Sequence, residues 1–193
     1  MTPIISEFTA LRCGRITLHL ITEANRHKVR RMFEALPDSD WILREFDASY
    51  LPQYDPQGRR RKWGFAATLD GELAGMSLLG ISSWEGARGY TGADTLTHMR
   101  RRGVAPGSKP HLFYLGFALL GLTRIETGCF ASNTASRRSL EKTPGLVFEG
   151  ILREYARNST GEFEDERRYA ILRRDWLDLY RDVAVEVLTG SGE

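Results

Sequence analysis

Three consecutive arginines run into a glycine at Met99-Arg-Arg-Arg-Gly-Val-Ala-Pro106. A strand-like run ends near Thr97 just before them, and an apolar segment of helical character, His111 to Leu120, follows. A helix N-terminus carries unpaired N–H groups and a partial positive charge, so it attracts phosphate. Glycine lets that backbone approach a ligand with no Cβ in between, and arginine adds charge-assisted, bidentate contacts. Arg100-x-x-Gly103-x-Ala105 therefore reads as a pyrophosphate cradle, with Arg101, Arg102 and Val104 inside it. A solvated charge run and a nucleic-acid patch are the other readings of the same residues.

The remaining reactive side chains offer less. Cys13 and Cys129 lie far apart, and no Cys/His cluster has zinc-ligand spacing, so free thiols and no metal site are expected. His98 and His111 flank the arginine stretch, but nothing pairs them with a nucleophile, and His19 and His27 read as structural or surface residues. A second basic run, Arg59-Arg60-Arg61-Lys62, reads as a solvated loop, with attraction of RNA or an acidic substrate as its functional alternative. The 27 basic and 25 acidic side chains leave a net charge of +2, too weak a field to argue for nucleic acid or a membrane surface. The N-terminus lacks a basic region followed by an apolar core, and the run Leu112 to Leu122 is too short to span a bilayer. A cytoplasmic protein without a membrane partner is the expectation.

The elements that would position the arginine stretch can be read from periodicity. Ile16, Leu18 and Leu20 alternate as a strand; Val29, Met32, Phe33 and Leu36 then take helical spacing, with Thr22 as cap and Pro37 as stop. Residues 38–54 predict a shorter helix ending near Pro52. Two strand-like runs flank Asp70-Gly71, a pair suited to a tight hairpin turn. Ala87 to Thr97 extends that sheet. After the apolar helix come the strand Leu122–Phe130, a short helix capped by Ser132 or Asn133, two strands around Asn158–Glu162, and a helix capped by Asp175 with Trp176, Leu179, Tyr180, Val183 and Val187 on one face. This order predicts one α/β (α+β) domain over residues 1–193 with a mixed central sheet.

Taken as a series, these residues resemble the GNAT superfamily of acetyl-CoA-dependent N-acetyltransferases. "MRRRGVA" is similar to that family's R/Q-x-x-G-x-G/A motif, and "LTRIETGCFASNTASRRSLEKTPGLVFEGILREYA" resembles the RimJ/RimL branch that acetylates ribosomal-protein N-termini. "WGFAATLDGELAGMSLL" and "DERRYAILRRDW" fit the same branch, so the likeness covers roughly residues 10 to 178. The chain departs from the pattern at Arg101, where glycine is usual, at Pro106 and Pro110 in the helix's first turns, and by an extra residue in "EKTPGLVFEG". Pro110 should distort or delay the helix start. Lys109, four residues after Ala105, instead matches small-molecule acetyltransferases of the superfamily.

The resemblance implies helices on both faces of the sheet and two splayed parallel strands, near Asp94–Thr97 and Arg124–Phe130. It implies acetyl-CoA as cofactor, its pantetheine between those strands against Leu96 and Thr97, and its pyrophosphate on Arg100, Arg101, Arg102, Gly103, Val104 and Ala105. Glu126 is the implied general base, or else a strand carboxylate in an ion pair. Asn133 is implied to bind pantetheine or water, or is a plain helix cap, and Ser136 to protonate the leaving thiolate; Tyr155 is a weaker acid candidate. The acceptor would be a primary amine, from a peptide N-terminus or a small molecule, entering near Trp41, Tyr50, Tyr54 and Trp63, several of which packing alone would explain. A homodimer through exposed edge strands is compatible. The competing functions are a CoA-binding sensor without turnover and an RNA- or ribosome-binding module built on the two arginine clusters.

Overall fold

The computed structural model describes residues 8–37, 39–158 and 160–189. β1 (Phe8–Cys13) and β2 (Ile16–Leu20) open the chain, and the two-residue β3 (Gln53–Tyr54) follows. The central strands are β4 (Arg60–Leu69), β5 (Glu72–Ser83), β6 (Arg88–Thr95) and β7 (Arg124–Phe130). β8 (Val147–Arg157), β9 (Phe163–Leu172) and β10 (Glu186–Thr189) complete the set. They form one sheet in the order β10-β1-β2-β4-β5-β6-β7-β9-β8, with β3 paired to the side of β4. β4 and β5 carry long uninterrupted buried runs because both of their faces are covered. The predicted hairpin forms at Asp70-Gly71, whose φ values of 52° and 86° meet the demand of a tight turn for positive φ at both central residues.

Helices cover both faces, as expected. One face carries α1 (Arg26–Glu34) and α2 (Asp40–Glu45), which continues as a π turn over Phe46–Tyr50. The backbone of that turn rests on Gly64 of β4, where a Cβ would lie 1.9 Å from the Tyr50 carbonyl oxygen. A backbone has no side-chain freedom with which to retreat. Gly64→Ala is expected to cost about 3 kcal/mol or more, lowering Tm by roughly 6–12 °C in a chain of this size, as thermal unfolding would read. The other face carries α3 (Val104–Tyr114), α4 (Thr134–Glu141) and α5 (Arg173–Leu179). α3 lies against β2, where Ile16 packs on Gly107 and the His111 ring bonds the Ile16 carbonyl at 3.0 Å.

Several expectations need correcting. β1 carries no alternation strong enough to stand out and was not foreseen. Helix α1 starts at Arg26 with Asn25 in the cap position; Thr22 and Asn25 spend their side chains on each other's backbone N–H groups, which holds the preceding turn. α3 starts at Val104, well before His111, and neither proline delays it. Pro106 occupies the first turn, where an N–H has no helical partner. The donor that Pro110 lacks would have met the Pro106 carbonyl, so the break falls inside the first turns, and the helix continues as a π turn over Leu115–Leu119. α5 ends at Leu179, so Val187 lies in β10 instead of on that helix. Asp175 sits inside α5 and accepts from the Leu172 N–H at 3.3 Å. Among the described residues, no helix is long and apolar enough to cross a membrane.

Candidate active site

β6 and β7 are parallel neighbours that pair only through Arg88–Arg124, Gly89–Ile125 and Tyr90–Glu126. Beyond Tyr90, β6 stays paired to β5 alone, and beyond Glu126, β7 stays paired to β9 alone. The facing backbone edges of the two strands are thus left open. Side chains occupy the point of divergence. Thr127 Oγ1 donates to the Thr91 carbonyl at 3.0 Å, and Lys109 Nζ of α3 donates to Thr91 Oγ1 at 2.9 Å and to Thr127 Oγ1 at 3.4 Å. Lys109 is 3% exposed, and desolvation pushes its pKa down to about 8. Its place at the divergence could not be read from the sequence, where Lys109 stood just before the apolar segment and was marked only by its spacing from Ala105.

The arginine loop lies at the open end of this V. A 3-10 turn, Thr97–Met99, follows β6; Arg101 and Gly103 then take φ values of 63° and 82° before α3 begins. Left-handed residues turn neighbouring N–H groups into a common anion-facing concavity, and the first turn of α3 leaves the N–H groups of Val104 and Ala105 outside the helical ladder. Arg100 and Arg101 are exposed there, whereas Arg102 turns away to Glu72 at 3.4 Å and to the Met99 sulfur at 2.8 Å. Leu96 is buried with its N–H on the Ala74 carbonyl at 3.0 Å, and Thr97 is exposed. Arg101 takes a left-handed conformation that disfavours a Cβ by ~1 kcal/mol. Arg101→Gly is expected to stabilise the fold by about that amount in chemical denaturation while weakening anion binding.

Alternation along the strands separates two sets of side chains. Thr91 and Thr127 face α3; Tyr90, Asp94 and Glu126 face α2. On that second face the Tyr50 hydroxyl donates to Asp94. Burial raises the Asp94 pKa, the Tyr50 hydrogen bond opposes that rise, and the nearby Glu45 charge adds to it. Burial also pushes the Tyr50 phenol well up. Glu126 accepts from Arg124 Nε at 2.9 Å, and the same guanidinium holds Glu149. Asp94 escaped the sequence reading because its significance depends on Tyr50, forty-four positions away. Of the four aromatic acceptor candidates, Tyr50 and Trp63 are buried core residues, Trp41 is half-buried and Tyr54 is exposed.

Just after β7, Asn133 caps α4 by accepting from the Ser136 N–H at 3.0 Å, one of the two caps foreseen for that helix. Burial raises the pKa of the Cys129 thiol, and the Ser136 hydroxyl opposes that rise. Tyr155 lies on β8 beneath the Arg168 guanidinium, 4.6 Å from its ring centre, apart from this group. The second basic run is split between solvent and interior: Arg59 and Arg61 are exposed, Arg60 is half-buried and Lys62 is buried. Only Arg59 lies in the loop; Arg60 and Arg61 bond backbone carbonyls of neighbouring strands and loops, and buried Lys62 donates to the Ala48 carbonyl at 2.9 Å. Among the described residues no group of His, Cys, Asp and Glu could hold a metal ion.

The sheet opens between two parallel strands, with a glycine turn leading into a helix at the open end, and acetyltransferases are among the proteins that share this fold. The chain is 26% identical over 180 residues to the uncharacterized N-acetyltransferase YoaA of Bacillus subtilis (strain 168), an alignment covering 86% of this chain and 98% of that one. Among solved structures, a crystal structure assigned as an acetyltransferase from T. thermophilus superposes with a TM-score of 0.67 at 20% identity, over 88% of this chain and 92% of the other. A dodecameric spermidine N-acetyltransferase from Vibrio cholerae does so with a TM-score of 0.62 at 17% identity, over 87% and 98% of the two chains. No family model matches the chain.

Proposed function

We propose that this protein is an acetyl-CoA-dependent N-acetyltransferase that acts on a primary amine. The observation that carries the reading is the opening of β6 from β7 beyond Tyr90 and Glu126, with the Gly103 turn at its open end. Bound acetyl-CoA supplies an activated acyl group as a thioester. Arg100, Arg101 and the N–H groups of Gly103, Val104 and Ala105 hold its pyrophosphate. Leu96 and Thr97 border the entrance, and the unpaired edge of β6 receives the pantetheine arm as it would an added strand. Asn133 and Ser136 lie along the β7 side; as the intermediate collapses, the Ser136 hydroxyl relays to the departing sulfur the proton that the attacking nitrogen sheds.

The acceptor enters from the α2 face, and its ammonium must lose a proton before nitrogen can attack. Glu126 and Asp94 are the carboxylates of the two strands on that face. Glu126 is tied to Arg124, which it shares with Glu149. Asp94 has a raised pKa and so a greater appetite for a proton; it takes the proton through bridging water, being three residues beyond Thr91 along β6, and Glu126 orders the adjoining charges. Proximity and alignment supply much of the remaining rate. The resemblance of residues 133–153 to the RimJ/RimL branch favours peptide N-termini as acceptors, and the spermidine enzyme among the solved structures puts polyamines beside them in the test. The exposed apolar side chains of edge strand β8, including Val147, Phe148 and Ile151, are the surface for self-association.

Calorimetric titration with acetyl-CoA, coupled to a thiol-release assay over peptide N-termini, polyamines and other amines, tests the reading. Binding with turnover on one amine class is the expected result. Binding without turnover across the panel would favour a sensor, and no binding would remove the cradle.

A further inference from the structure

The proposed chemistry gives Lys109 no task, although its position is costly. Its Nζ is anchored to one hydroxyl on each strand, at the first residues beyond the last paired ones. Desolvation is the cause of its lowered pKa, and no carboxylate contributes to it. The buried polar neighbours on the same helix are occupied elsewhere, Ser108 on the Val104 carbonyl at 2.9 Å and His111 on the Ile16 carbonyl at 3.0 Å. A mere spacer between two threonines would be better made from an apolar side chain, because an unpaired buried charge is expensive.

Direction gives the charge a use. The side chain descends from α3 to the sheet, where one hydroxyl on each strand takes an N–H, so that two of its three N–H groups are used at the point where the strands part. The arginine loop lies beyond the far end of β6. A donor anchored there enters the V from its open end, and its acyl group arrives last, at the closed end where Lys109 stands. We propose that Lys109 is a specificity-determining residue: its ammonium forms a polar floor to the acyl end of the cleft, so that acetyl is accepted and longer aliphatic acyl groups are rejected. An acetyl group stops short of this floor. A butyryl chain would press methylenes against the ammonium and strip it of the polar contact its third N–H requires. The inference rests on the donor reading above.

The test compares kcat/KM for acetyl-, propionyl- and butyryl-CoA with one amine, in the wild type, in Lys109→Met, which keeps length and removes charge, and in Lys109→Gln, which keeps a hydrogen-bond donor. The wild type is expected to prefer acetyl over butyryl by about a hundredfold. Lys109→Met should narrow that ratio by about tenfold or more through a gain on butyryl-CoA, with Lys109→Gln in between. A purely structural lysine would instead lower Tm and all three activities together, and that result overturns the proposal. So does an unchanged acetyl-to-butyryl ratio in a variant that folds and turns over acetyl-CoA. A wild type that binds no acyl-CoA at all would remove the donor reading first, and this inference with it.

Discussion

Asp94→Asn is expected to lower kcat by about 10²–10³-fold, the range for losing a general base, while acetyl-CoA affinity in calorimetry stays within about twofold. The variant is nearly isosteric and keeps a hydrogen-bond partner for the Tyr50 hydroxyl, so the fold has little reason to change. What it loses is a proton acceptor whose pKa burial has raised above the ordinary value of 3.8. The sign of the pH dependence follows. A base works only when ionised, so the wild-type rate must fall as pH drops through the raised Asp94 value, and the acidic limb of kcat/KM lies above the usual aspartate range. Asp94→Asn should lose that limb together with its rate. Tyr50→Phe removes a hydrogen bond that stabilises the carboxylate, so it should move the limb further towards neutral pH. Glu126→Gln is the comparison that decides between the two carboxylates. Its effect is expected to be smaller, because the side chain already engages Arg124. A larger loss in Glu126→Gln than in Asp94→Asn would return the base to Glu126, where the family resemblance first put it.

What could be read from the chain divides along a physical line. Local signals survived folding: the Asp70-Gly71 turn, the alternation of Ile16, Leu18 and Leu20, the Asn133 cap, and the glycine turn after the arginines. Each is decided within a few residues by backbone conformation or by one side chain reaching its neighbour. The two opening strands were also anticipated, but through resemblance to a family and not through periodicity, since strand divergence leaves no local mark. The misses are non-local. Lys62 looked solvated in a basic run, yet β4 carries it into the interior and onto the Ala48 carbonyl. Arg102 looked equivalent to Arg100 and Arg101, yet Glu72, at the start of a different strand, draws it off. The Asp94–Tyr50 pair and the Lys109 bridge depend on which faces of the sheet α2 and α3 cover. A sequence can suggest amphipathic segments, but only the packed sheet determines that two such groups flank one opening.

Gly103→Val is expected to weaken acetyl-CoA binding by about 10²-fold or more, with a loss of fold stability of only ~1–2 kcal/mol. The two effects separate because of where the residue sits. A Cβ at Gly103 would meet nothing within 4 Å, so packing does not oppose the change; the φ of 82° does. A β-branched residue rejects that conformation, and the turn must relax towards negative φ. The relaxation rotates the N–H groups of Gly103, Val104 and Ala105 away from their common direction. Charge-assisted hydrogen bonds contribute roughly 1.5–3 kcal/mol each, so misdirecting even two of them reaches the stated loss. Gly103→Ala, with no β-branch, should fall between the wild type and valine. Charge and shape are thereby tested apart, since Arg100→Gln removes a cation, leaves the turn intact, and should make donor binding less sensitive to salt. If Gly103→Val bound acetyl-CoA as tightly as the wild type, the pyrophosphate would have to rest elsewhere, and the Arg100–Ala105 loop would be a solvated connection between β6 and α3.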